Sequence, residues 1–182
     1  MCNRLMSPRP TGQKQQSSAT ARGAQADKRH EALVLTEALK RKPGHAPVLL
    51  RLAQMAEDSG NHGQAIHYLQ EILRTEPNSA DARLELGRVL FQTGDVQGSI
   101  TETKKILDRQ PDQADALYNL GAIYANLNDT TLALQYWNQL FATSPQSDSA
   151  QRARRLMSQL PSQTNSVAEN RGSYVHGSGA ER

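Results

Sequence analysis

The side chains best able to do chemistry in this sequence are few, and their spacing does not gather them. Five histidines occur in 182 residues. His62 and His67 are five positions apart, which turns them away from a common helix face. His67 and Glu71 stand at i and i+4 and could offer two metal ligands. No third or fourth ligand lies near them, so the pair reads as a surface contact and no metal site is expected. The single cysteine, Cys2, excludes an internal disulfide and any cysteine-based metal site. Glu57 and Asp58 are adjacent carboxylates, but they close a helical pattern in polar surroundings and do not mark a catalytic pair. There is no glycine-rich phosphate cradle and no nucleophile elbow. The expectation is a protein with no catalytic residues and no cofactor, and not an enzyme.

What remains is recognition, and charge narrows its targets. The formal net charge is +3 and the pI about 9.2. Residues 1–30 hold six Lys/Arg against one acid, whereas residues 43–145 hold twelve Asp/Glu against seven Lys/Arg. The basic pI therefore belongs to the ends. Binding a nucleic-acid backbone needs several phosphate contacts from Lys or Arg. The ends offer these sparsely and without interleaved aromatics, and the centre is acidic, which argues against nucleic acid. No stretch approaches the ~20 apolar residues of a membrane span, and residues 1–12 lack a secretory apolar core. A cytoplasmic location is expected. The alternative is a periplasmic or lipid-anchored one, through Cys2, if the true start lies upstream.

The elements that position any binding residues are set by a repeat. Pro43, Pro77, Pro111 and Pro145 each lie 34 residues after the last. Between them, Leu52-Ala53, Leu86-Gly87 and Leu120-Gly121 recur, and Ala65, Ser99 and Ala133 follow twelve residues after each small partner. Turns fall between at Gly60-Asn61, Gly94-Asp95 and Asn128-Asp129. A fixed period of this length with these landmarks marks an array of helix–turn–helix units. Leu49, Leu52, Ala53 and Ala56 share one helical face, as do Ile66, Leu69, Ile72 and Leu73 on the next helix. Each closing proline disfavours helix in the residue before it. The Asp, Asn and Ser residues after it can cap the next start. Gly87 and Gly121 cost about 1 kcal/mol each in helix propensity, so they should serve a close approach of the paired helix at Ser99 and Ala133.

These units resemble tetratricopeptide repeats. Leu117, Leu120-Gly121, Tyr124, Ala133, Trp137, Leu140 and Pro145 carry the likeness best. The second unit departs most, with Arg83, Ser99 and Thr103 at positions that are usually large, small and large. The resemblance covers residues 43–145. It implies an all-α helical-repeat solenoid of antiparallel helix pairs, wound as a right-handed superhelix, with first helices lining a concave groove. Mapped onto this sequence, that groove would show Leu50, Gln54 and Asp58, with Glu57 beside them, then Leu84, Arg88, Phe91 and Gln92, and finally Tyr118, Ala122 and Asn126. The co-chaperone mode of the family, a carboxylate clamp of Lys and Asn, finds only Arg88 here. Buried aromatics and arginines make favoured hot spots, which points to Arg88, Phe91 and Tyr118.

The expected organisation follows. Residues 1–26 form a disordered basic tail, 27–42 an N-terminal capping helix from a degraded half repeat, and 43–145 three repeats at about 46–79, 80–113 and 114–147. Residues 148–160 form a C-terminal capping helix and 161–182 a disordered tail. The expected function is a non-catalytic adaptor or scaffold that binds a peptide segment or subunit of a partner protein in the groove. The alternatives are a self-associating scaffold, and so a homo-oligomer, or an assembly factor of a bacterial membrane or periplasmic complex of the lipoprotein or cytochrome c maturation type.

Overall fold

A left-handed residue ends each first helix of the repeats. Gly60, Gly94 and Asn128 have φ of 72°, 88° and 61°. The residue after each sends its N–H back to a carbonyl five residues earlier: Asn61 to Ala56 at 2.8 Å, Asp95 to Leu90 at 2.9 Å and Asp129 to Tyr124 at 2.9 Å. That closes one helix with a Schellman-type turn. The same residue then opens the next helix. The side chains of Asn61, Asp95 and Asp129 accept from the backbone N–H groups of Gln64, Gly98 and Leu132. Six residue positions thus fix three hairpins of helices.

The computed structural model describes residues 12–160. Among them are eight helices and no strand: α1 Gly12–Arg41, α2 Ala46–Asp58, α3 His62–Thr75, α4 Ala80–Gln92, α5 Val96–Leu107, α6 Ala114–Asn126, α7 Thr130–Thr143 and α8 Asp148–Met157. They fall into two units, Met1–Arg109 with α1 to α5 and Gln110–Arg182 with α6 to α8. The expected tails at 1–11 and 161–182 lie outside the described residues. Residues 12–26 were expected to be irregular and are instead helical, continuing α1 back from residue 27. Gln, Lys, Ala and Arg there are good helix formers, and no proline falls between Gly12 and Arg41 to stop propagation.

In the first unit, α2 and α3 close on a core of Leu49, Ala53, Ala56, Ala65, Leu69 and Ile72, which continues into Ala82, Leu86 and Val89 of α4. Leu39 of α1 packs on the same core. Ion pairs add to the α1–α2 seam, Lys28 to Asp58 at 3.1 Å and Arg51 to Glu31 at 2.6 Å. The α4–α5 pair departs from this apolar pattern. Arg83 replaces the leucine of the other repeats and bonds Glu102 of α5, and both side chains are only 16% exposed. Its second nitrogen donates to the Pro77 carbonyl at 2.7 Å. Glu102 also takes Lys105 at 2.6 Å. A buried charge survives only when paired and hydrogen-bonded, and this trio meets both needs.

In the second unit, α6 and α7 bury Leu117, Leu120, Ala133, Trp137 and Leu140 completely. The Tyr124 and Tyr136 rings stack at 5.7 Å and nearly parallel. α8 begins at Asp148, 34 residues after α6, and so takes the register of a further first helix. Its Ala150 and Ala153 are buried, while Arg154 and Arg155 stay exposed. The exposed side of α8 therefore carries charge.

The close approach at the helical glycines is confirmed. At Gly87 it includes the expected Ser99, whose carbonyl and hydroxyl a Cβ would meet at 3.5 and 3.8 Å, but the nearest atoms at both glycines belong to another residue of the paired helix. Opposite Gly121 stands the Trp137 indole, where a Cβ would overlap the ring. Opposite Gly87 stands the Thr103 hydroxyl, which a Cβ would meet at 3.0 Å. The size of the residue at 69, 103 and 137 varies from Leu to Thr to Trp. Gly121 leaves room for the Trp137 ring, and Gly87 lets the Thr103 hydroxyl come close.

Candidate functional site

The expected contact residues divide between the two units, and each set has its own surroundings. In the first unit the shared surface of α2 and α4 is defined by an ion-pair bridge. The Arg88 guanidinium of α4 bonds Glu57 of α2, and also Glu85 one turn back on α4 at 2.7 and 2.9 Å. Burial works against the arginine charge, but the bonds from Glu85 and Glu57 outweigh it and hold the pKa above the ordinary arginine value. Arg88 is thus already matched by two carboxylates, and Glu57, with a side chain only 12% exposed, depends on it.

Leu50 and Leu84 stand one repeat apart on α2 and α4, and both are half-buried. Phe91 is half-buried as well, while Gln54 and Gln92 are exposed polar neighbours. Asp58 lies elsewhere: its carboxylate turns to Lys28 on the α1 side of α2. Leu50 forms part of a depression of about 320 Å³ whose apolar wall is Ala46, Pro47, Leu50, Ile72 and Ala82. Glu76, Ser79 and Asp81 complete its lining. Sequence reasoning placed Leu50 near a groove but missed Pro47 and Glu76. Glu76 ends a second helix, so a search restricted to first helices passes over it.

In the second unit, the Arg152 guanidinium of α8 lies 4.4 Å from the centroid of the Tyr118 ring, a cation–π contact. Arg152 is held there by Asp115 at 3.1 Å and by the Ser149 hydroxyl at 2.8 Å. One face of Tyr118 is therefore covered within the chain. The period carried the signal, since Arg152 follows Tyr118 by 34 residues and takes its place in the next register. Ala122 is half-buried and Asn126 exposed on the same helix.

Among the described residues, no group of three or more His, Cys, Asp or Glu is placed to hold a metal ion. Glu71, the potential partner of His67, is taken by Arg74 at 3.2 Å. No described helix is long and apolar enough to cross a membrane.

Residues 50–103 and 103–135 each match a family model of the tetratricopeptide repeat. Over residues 50–135 the chain is therefore built of tetratricopeptide repeats. No curated relative matches the sequence. Among solved structures, MamA is 22% identical, with 84% of this chain and 87% of that one covered at a TM-score of 0.57. YrrB, described as a tetratricopeptide-repeat protein with an unusual peptide-binding site, is 20% identical, covering 72% and 68% at 0.60. The tetratricopeptide-repeat domain of Arabidopsis OM64 is 13% identical, covering 63% and 94% at 0.55. At these identities the likeness establishes the fold.

Proposed function

We propose that this chain is a non-catalytic adaptor that holds a peptide segment of a partner protein on the α2–α4 surface of its first unit. The observation that carries the reading is the register-matched pair Leu50 and Leu84, half-buried on first helices, with Leu50 at the wall of an open apolar depression. Rigid helices present these side chains at fixed spacing, which lowers the ordering cost of binding an extended or helical peptide. Phe91, Gln54 and Gln92 extend the surface with one large apolar side chain and two amides. Tyr118, Ala122 and Asn126 form a separate contact patch on the second unit, where Arg152 already occupies one ring face. That a protein of the same fold, YrrB, is described by its peptide-binding site supports a peptide as occupant.

The test is selection of a short random-peptide library on the immobilised full chain. Binders are expected, and they should be lost on Leu50→Ser/Leu84→Ser while far-ultraviolet circular dichroism and the melting temperature hold. If no peptide depends on these leucines, the reading falls.

A further inference from the structure

We infer that the α2–α4 surface selects peptides in which a Lys or Arg lies beside an apolar anchor. This inference rests on the proposed docking of a peptide at that surface and adds the chemistry of the peptide.

The depression beside Leu50 combines two kinds of wall. Ala46, Pro47, Leu50, Ile72 and Ala82 are apolar, and Glu76 and Asp81 are exposed carboxylates. Among the described residues neither carboxylate has an ion-pair partner, whereas Glu57, Glu85 and Asp58 all do. Glu76 is also fixed in place. Its N–H donates to the Ile72 carbonyl at 2.7 Å, and its own carbonyl accepts from Ser79 at 3.0 Å. The following Pro77 locks the backbone further. A carboxylate on such a base gives up less entropy on pairing than one on a free loop.

The surrounding field has the same sign. Glu57, Glu76, Asp81 and Glu85 stand on this surface; the nearby cations are already consumed, Arg88 by Glu57 and Glu85, and Arg83, which reaches the Pro77 carbonyl, by Glu102. An acidic peptide would be repelled. A purely apolar one would leave Glu76 and Asp81 unanswered. A Lys or Arg can lay its methylene stem along Pro47 and Leu50 and bring its charge to the carboxylates at the rim. Rim charges of this kind steer encounter and set specificity.

The test uses the full chain and the peptide selection already described, read for sequence. Peptides whose binding requires Leu50 are expected to be enriched in Lys or Arg next to Leu, Ile, Met or Phe. Their affinity should fall about threefold to tenfold on Glu76→Gln/Asp81→Asn, the range expected for two exposed ion pairs. It should fall likewise when salt is raised, and hold on Asp112→Asn, a neutralisation in the other unit. Leu50-dependent peptides without basic enrichment, or insensitive to Glu76→Gln/Asp81→Asn, would overturn this inference and leave peptide docking standing. Absence of any Leu50-dependent peptide would remove both. A Leu50-dependent dimer in sedimentation, with no peptide retained, would assign the surface to a second copy of the chain and overturn both as well.

Discussion

The Trp137 indole lies across Gly121 and donates its Nε1–H to the Tyr118 carbonyl at 3.3 Å. The ring is completely buried, and its one polar atom is answered by the helix it crosses. The absence of a side chain at Gly121 makes that crossing. Any Cβ there meets Trp137 atoms closer than real side chains allow, Cε2 at 2.7 Å among them. Gly121→Ala should therefore lower stability by about 1–3 kcal/mol through overpacking, despite a gain of about 1 kcal/mol in helix propensity. Trp137→Ala should lower it by about 3–5 kcal/mol by opening a cavity. Urea denaturation followed by circular dichroism measures both. A Gly121→Ala protein as stable as wild type would contradict the crossing.

Arg88 is held by Glu57 and Glu85, so its removal should report on folding before binding. Arg88→Ala leaves the largely covered Glu57 carboxylate without a cation. Breaking a fully buried pair costs about 3–5 kcal/mol. The half-exposed guanidinium is partly screened, so about 1–2 kcal/mol is expected. Glu57→Gln in the same background should recover part of it. A double-mutant cycle in urea checks the coupling, and additivity would mean that the bridge does not form in solution.

The α1–α2 seam should weaken in acid. The hydrogen bond from Arg51, foremost, holds the Glu31 carboxyl below its ordinary value against the opposing effect of desolvation, helped by the charges of Arg51 and Lys28. A carboxylate with a depressed folded pKa contributes stability above its unfolded pKa. That contribution is lost as pH falls through the folded value. Protection of α1 amides in hydrogen exchange should thus decline below the carboxylate range. Glu31→Gln should already show that reduced protection at neutral pH. A pH profile identical in wild type and Glu31→Gln would remove the role of this pair.

Asn128 holds the left-handed position that Gly60 and Gly94 fill in the other repeats. Asn tolerates this conformation and β-branched residues do not. Asn128→Gly should be neutral or slightly stabilising, and Asn128→Val should cost about 1–2 kcal/mol. Thermal melting of the two variants distinguishes them, and equal melting temperatures would contradict the turn geometry.

The sequence by itself determined the period, the helices and the turns. These depend on local chemistry: a left-handed Gly or Asn, an Asn or Asp that caps, a proline that ends a helix, and a stripe of apolar residues that must be buried. The cap position before the first helices was less legible. Pro111-Asp112 suggested aspartate, but Gln113 bonds the Ala116 N–H, because Gln113 is the residue in register with Ser79 and Ser147. The continuation of α1 through residues 12–26 was not legible either. A polar stretch without an apolar stripe carries no periodic signal, even where its propensities allow a helix.

The residues expected to line a groove were legible as positions on their helices but not as chemistry. The 34-residue register placed Leu50, Leu84, Arg88 and Tyr118 on first helices. Only tertiary structure decided that Arg88 is consumed by Glu57 and Glu85, that Asp58 turns to Lys28, and that Arg152 covers Tyr118. It also decided that Gly121 yields to Trp137 and that Arg83 finds Glu102 across a helix pair. The physical reason is the same in each case. A helical period fixes which way a side chain points, but the pairing of charges and the fit of volumes depend on which helix lies opposite and how close it comes.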